Sequence, residues 1–338
     1  MLEVVNTTRF GFLSLPALDK QGEELLVVCV AATYSLPPAG RQHAEPPPLA
    51  QEQPPPPVED AHVGKPGLSS LRREGQSAYA RPEADVYVNG TAWTPGARPA
   101  LAVEVSVQVG TCKKSIAVVG PRYWRSVLGS LQQSKPEPFV SMPLCYEQSF
   151  GGPSAGDGAT ATTKPHPANP VGCGNYANAR EAADKPLPRI EDRKTLIIRC
   201  SDRPAPAGLG PIARHWEPRC RFAGTYDERW RRERAPWWPS DFNERFFQAA
   251  APGLRIPYPQ GGEPVVLTGL SPDGTVGCCL PANRFELVGT PLCAPLVLDA
   301  IDIDGDAATL TLVYRTAVRL TTSSPAAWGQ LRLRQVRP

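Results

Sequence analysis

Leu101-Ala102-Val103-Glu104-Val105-Ser106-Val107-Gln108-Val109 decides the reading of the fold. Leucine and valine stand at every second position, with small, polar or charged residues between them. Side chains two apart lie on one face of a strand, so this period predicts a strand with one buried face. Gly110 to Ser115 reads as a turn, and Ile116-Ala117-Val118-Val119 as the returning antiparallel partner. Working outward, Leu25-Leu26-Val27-Val28-Cys29-Val30 within Glu24 to Leu36 reads as a buried strand. Asp85-Val86-Tyr87-Val88 ahead of Asn89-Gly90 predicts a hairpin, because Asn-Gly suits the tight turn. Val265-Val266-Leu267 and Val276 to Leu280 are further strands. A last hairpin runs from Val297 to Ile303 and from Thr309 to Tyr314, turning at Asp304-Gly305. The fold class is therefore mainly β: an antiparallel β-sandwich or two β-rich lobes, with a few short helices and long loops.

The chain has 338 residues, 41% hydrophobic and 20% charged, enough to bury a core. It reads as one unit over 1–338, divisible into a β-rich lobe at 1–140 and a second lobe at 141–338. A net charge of +3 gives no footprint for nucleic acid. The 40 Pro and 29 Gly favour turns and short strands over helices. Pro37 to Val58, with Pro46-Pro47-Pro48 and Pro54-Pro55-Pro56-Pro57, reads as an extended, solvated surface loop. There are 9 Cys and no Cys-x-x-Cys pair. The start, Met1-Leu2-Glu3-Val4-Val5-Asn6, lacks a secretory pattern, and no apolar run reaches the ~20 residues of a membrane span. Those features point to a cytoplasmic protein with reduced thiols, without a membrane partner.

The densest run of special residues lies between Tyr146 and Asp241. It contains Tyr146-Glu147 with Phe150-Gly151-Gly152, then Asn169-Pro170 with Gly172, then Trp216 and Arg219. Gly224-Thr225-Tyr226-Asp227 leads to Trp230, and Arg234 precedes Pro236-Trp237-Trp238-Pro239 and Asp241. Gly and Pro fix backbone geometry, while Trp and Arg make large or directional contacts. Thr225 with Glu228 reads as a capping box for a helix over Asp227 to Arg234. Asp241 with Glu244 reads as one for Phe242 to Ala250. Tight turns at Gly151-Gly152 and Gly172 are expected to gather Glu147, Arg219, Asp227, Arg234 and Asp241 into a partly buried polar network.

Familiar chemistry is missing from this run. Ser149 lacks the Gly-x-Ser-x-Gly elbow. The glycine-rich stretch Gly151 to Gly158 has no following Lys-Ser or Lys-Thr, so it reads as a loop rather than a phosphate cradle. Asp302-Ile303-Asp304-Gly305-Asp306 places its glycine too early for a calcium loop and has Val313 where the closing Glu belongs, so it reads as a β-turn. His43, His62, His166 and His215 are scattered, and no second pair joins His215 and Cys220. No metal and no cofactor are expected. Arg229-Trp230-Arg231-Arg232-Glu233-Arg234 suits a protein interface better than nucleic acid, since acidic residues dilute the basic patch.

Taken in order, these segments resemble a bacterial family, the domain of unknown function 2169, found beside type VI secretion spike and effector genes. The resemblance begins at Val28 to Tyr34, ending in Ala32-Thr33-Tyr34. It continues through Asp85-Val86-Tyr87-Val88 with Gly90 and Ala92, Val109-Gly110, and Gly120 with Arg122 and Trp124. Met142-Pro143-Leu144 then leads into Tyr146-Glu147 and the rest of the special run. Ala251-Pro252, Gly261-Gly262-Glu263, Leu280-Pro281, and Ile301-Asp302 with Arg315 complete it. Pro121, Ser149 and Tyr314 depart from the pattern.

The resemblance implies a type VI secretion adaptor or chaperone. It would bind a cognate effector or spike-tip protein, hold it soluble and help load it on the spike, with no catalytic residues carried over. The anchors expected to meet the partner are Trp216, Arg219, Trp230, Arg234, Trp237 and Trp238. Core packing is the other reading of Trp216 and Trp230, and internal bracing that of Arg219 and Arg234. The competing function is a cytosolic hydrolase using Glu147, Asp227 or Asp241 in a cleft.

Overall fold

A computed structural model describes residues 3–40, 45–155, 163–290, 292–320 and 330–336. Its architecture is mainly β, as the alternation at Leu101–Val109 predicts. Fourteen strands build the two large sheets. In chain order they are β1 (Val4–Asn6), β2 (Gly11–Leu18), β3 (Glu24–Ser35), β4 (Ala84–Asn89), β5 (Ala102–Val109), β6 (Cys112–Val119) and β7 (Ile190–Asp192). Then follow β8 (Arg255–Ile256), β9 (Pro264–Thr268), β10 (Val276–Cys279), β11 (Arg284–Val288), β12 (Cys293–Asp304), β13 (Thr309–Arg319) and β14 (Leu331–Val336).

One sheet has nine strands, in the order β1-β14-β11-β12-β13-β3-β2, with β4 pairing β12 and β8 pairing β4. The other has five, in the order β7-β6-β5-β9-β10. Both sheets draw strands from either side of residue 140, so the 1–140 and 141–338 division does not separate them. Buried side chains of the two sheets join one apolar cluster, from Val27, Val28 and Val30 to Val105, Val107 and Val265.

The β5–β6 pair is antiparallel with Val103 opposite Val118 and Val105 opposite Ile116. Val105, Val107 and Val109 are buried while Glu104 is exposed. The turn is shorter than the expected Gly110–Ser115, because Val109 already pairs with Cys112. Gly110 has φ 56°, a conformation glycine adopts at little cost, and this closes the hairpin in two residues. The β12–β13 hairpin turns at Asp304-Gly305, with Asp304 opposite Thr309. There Asp304 Oδ1 accepts from the Asp306 and Ala307 amides, which is turn chemistry.

Two expectations are corrected. Asn89-Gly90 does not make a hairpin: β4 runs parallel to β12, and Thr91–Trp93 pairs with Ser141–Pro143 instead. Gly90 (φ 141°) redirects the chain where a Cβ would meet Gly305 Cα at 3.2 Å. The second correction is partial: the described Pro-rich stretch is largely exposed, as a surface loop should be, but it is pinned along the sheet rather than free. Leu49 bridges Tyr34, Ser35 N–H donates to Pro48 O, and Ala50 N–H donates to Thr33 O. Gln53 closes on Thr33 through both its amide atoms, at 3.0 and 2.7 Å. β2 pairs with β3 only as far as Ala31. The proline arm therefore takes over beside the strand end that β2 leaves bare, and Pro47 and Pro56 are buried. Residues 41–44 of that stretch and Gly156 and Gly158 of the glycine-rich loop lie outside the described residues.

Candidate functional site

The special run separates into three pieces of structure. The first is a knot around Asn169. Asn169 is fully buried, and its Nδ2 donates to Tyr146 O (2.8 Å) and Phe150 O (3.0 Å). Its carbonyl accepts the Gly152 amide at 2.7 Å. Phe150-Gly151 then pairs in parallel with Cys173-Gly174, with Pro170 and Gly172 in the connection. Gly152 has φ 86°, and a Cβ there would stand 2.1 Å from Gly172 O. Gly152→Ala combines a left-handed backbone with a backbone clash, so it is expected to destabilise the fold by more than about 2 kcal/mol in urea melts. Glu147 accepts from Ser70 N–H at 2.7 Å and from the Ser70 hydroxyl. Burial would raise its pKa, but these donors hold the carboxyl below its ordinary value.

The second piece is a buried charge network. Arg219 is 1% exposed. It donates to Glu74 Oε1 (2.7 Å), Ile212 O (2.6 Å) and Phe246 O (2.7 Å). Trp216 is also 1% exposed and packs edge-on against Tyr146, with centroids 5.6 Å apart. Neither residue can meet a partner, which corrects their reading as anchors. Beyond Glu74 lie Arg81 at 3.6 Å, then Asp85 and Asp299 at 3.6 and 3.2 Å from Arg81. Arg315 pairs with Asp299 and donates to Gln76 Oε1 at 2.6 Å. Three buried arginines thus face three buried carboxylates.

Sequence reasoning missed Glu74, Arg81 and Asp299. Lone charges inside apolar strand runs, such as Asp299 among Leu296, Leu298 and Ile301, were the available signal. The expected network of Glu147, Arg219, Asp227, Arg234 and Asp241 does not form. Asp227 and Asp241 are satisfied within their own loops, whereas Glu147, Arg219 and Arg234 are each held by a different distant element, at Ser70, Glu74 and Lys20.

Burial alone would push the Glu74 carboxyl up, but Arg219, Arg81 and Arg214 outweigh it and hold its pKa below the ordinary value. Its folded pKa lies under its unfolded one, so it stabilises the fold at neutral pH. That contribution is lost as pH falls through the folded pKa. Asp85 opposes this: burial outweighs Arg81 and the Tyr87 hydroxyl, and its pKa is raised. Its contribution is present at acid pH and is lost as pH rises through its folded pKa. Glu74→Gln is therefore expected to flatten the acid side of a stability-against-pH curve followed by thermal melting.

The third piece reaches the surface. Asp227 caps the short helix Glu228–Glu233 by accepting from Trp230 N–H at 2.8 Å. Thr225 is not the cap; its amide and hydroxyl both donate to Asp241, at 2.9 and 2.8 Å. Asp241 does not cap the next helix either, since Asn243 does so for the 3-10 turn Glu244–Phe247. Gly224 (φ 84°) lets Asp241 approach, because a Cβ would lie 2.8 Å from its Oδ1.

Trp230 Nε1 donates to Trp237 O at 2.8 Å. Arg234 donates to Trp238 O (3.0 Å) and to Lys20 O (2.7 Å). Trp238 Nε1 donates to Leu18 O at 3.2 Å, and its ring stacks on Phe242 at 4.2 Å. Trp230, Arg234 and Trp238 are thus half-buried: Trp230 braces the loop from within, while Arg234 and Trp238 fix it against the end of β2. Trp237 is 42% exposed and rests over Gly22, where a Cβ would stand 3.1 Å from the indole. Tyr226, 52% exposed, packs edge-on to Trp230 at 4.7 Å.

Tyr226, Trp237, Trp238, Phe246 and the Leu15–Leu18 end of β2 line an open pocket of about 400 Å³. Arg214 supplies its formal charge. Glu147 lines a different cleft, of about 230 Å³, with Arg122 and Arg189. Among the described residues no group of three or more His, Cys, Asp or Glu is arranged to hold a metal. None of the described helices is long and apolar enough to cross a membrane.

Residues 21–315 match the family model described as an uncharacterized protein conserved in bacteria, DUF2169, and the chain belongs to that family. No curated protein and no solved structure matches it.

Proposed function

We propose that this member of the DUF2169 family is a non-catalytic adaptor and chaperone. It binds a type VI secretion effector or its spike-tip domain, keeps that protein soluble, and hands it to the spike. The effector and the spike come from the sequence resemblance. The observation that carries the binding role is the pocket of Tyr226, Trp237, Trp238 and Phe246, an open aromatic surface on a braced loop. Tyr and Trp present much contact area at low entropic cost, and they dominate interface energetics. The carboxylates a hydrolase would need are engaged elsewhere: Asp227 caps a helix, Asp241 holds Thr225, and Glu147 holds Ser70. Binding only the folded, soluble form of the effector shifts it toward that form by mass action.

The test is co-expression of each neighbouring gene product with and without this chain. One product is expected to gain soluble yield, to co-purify, and to keep its intact mass. If none binds, and the purified chain instead turns over a substrate in a way that Asp227→Asn or Asp241→Asn abolishes, the hydrolase reading replaces this one.

A further inference from the structure

β2 is the last strand of the nine-stranded sheet, and its outer edge borders the aromatic pocket. The register shows which of its backbone groups face outward. Asp19 N–H donates to Glu23 O, so the positions of β2 that bond to β3 are the odd ones. Phe12, Ser14, Pro16 and Leu18 point the other way. Pro16 has no N–H, which suits an outward position. Leu18 O already accepts the Trp238 indole. Among the described residues nothing bonds to the amides of Phe12 and Ser14 or to the carbonyls of Phe12, Ser14 and Pro16. That row of donors and acceptors is complementary to one kind of occupant, an extended backbone. Arg214 adds a second requirement. Its Nε holds Glu74 and its Nη2 holds Gly75 O and Ser77, while Nη1 has no partner among the described residues.

We propose that the partner binds by strand addition. An extended segment pairs with the outer edge of β2 from Phe12 to Pro16. It inserts a bulky apolar side chain between Trp237, Tyr226 and Phe246, and sets a neighbouring carboxylate against Arg214. This rests on the adaptor reading and specifies its mode. Pro16 fixes the register, since the segment must tolerate one carbonyl without a donor opposite it.

The experiment uses the full chain and the gene product retained in the co-expression test. Ser14→Pro removes an outward amide but no bond to β3, and Pro16 shows that this strand accepts proline at such a position. It is expected to lower affinity at least tenfold, while Ser14→Ala, which keeps the amide, binds like the parent. Should Ser14→Pro not fold, residue-resolved hydrogen exchange of the parent serves instead: the Phe12 and Ser14 amides are expected to slow only in the complex. A parent complex with unchanged Ser14→Pro affinity, or with those amides still exchanging fast, overturns strand addition and leaves the adaptor reading standing. If the parent retains no product, both fall. If the isolated chain is a dimer with those amides already protected, the edge belongs to a second copy and the proposal is overturned.

Discussion

Arg219→Ala is expected to lower the melting temperature by roughly 4–7 °C, while Asp241→Ala melts close to the parent. Both residues belong to the same stretch of special sequence, and only their surroundings separate them. Arg219 is enclosed, and its removal leaves the Phe246 and Ile212 carbonyls without this donor and takes from Glu74 one of its buried cationic partners, with Arg214 and Arg81 remaining. Breaking one side of a buried pair costs about 3–5 kcal/mol, because the remaining charge stays desolvated. At ~2.1 cal/mol/K of unfolding entropy per residue, each kcal/mol moves the midpoint of a 338-residue chain by about 1.4 °C. Asp241 is fully exposed and holds only Thr225. Thermal melts of the two variants side by side decide it, and equal midpoints would show that the network contributes no net stability.

Trp237→Ala is expected to weaken partner binding about 30-fold or more with an unchanged melting temperature. Truncating an interface tryptophan at a hot spot costs about 2 kcal/mol or more, which is that factor in Kd. Trp237 rests on Gly22 and shows much of its ring to solvent, so little packing is lost with it. Trp238→Ala should instead lose stability and binding together. Its ring stacks on Phe242 and meets Phe247 edge-on at 5.8 Å, and its indole ties the loop to Leu18 O. Titration calorimetry with melts of both variants checks this. Parental affinity in Trp237→Ala would remove the residue from the interface.

Period and turn chemistry made the local sheet structure readable. The alternation at Leu101–Val109 and the Asp304-Gly305 turn each declare a hairpin within twenty residues, and both hairpins form. The long-range pairings left no such mark. Nothing near Asp85 shows that β4 will lie parallel to β12, more than two hundred residues later. Asn89-Gly90 was misread because Gly90 serves a close approach to Gly305 rather than a hairpin. In the site, residue type alone could not tell a buried Trp or Arg from an exposed one. Trp216 and Trp237 are alike as letters; one sits on Tyr146 in the interior and the other on a surface glycine. The β2 edge was illegible because its relevant groups are backbone amides and carbonyls, which every residue carries.

Side-chain footprinting tests the central claim, that the Tyr226–Trp238 face is where a protein partner docks. Hydroxyl-radical oxidation of the chain alone and in complex would be read at Tyr226 and Trp237. The account predicts that both rings oxidise readily in the free protein and are protected in the complex, while exposed Leu128 and Ile198 are modified equally in both. Unchanged oxidation of Tyr226 and Trp237 in a verified complex would contradict it.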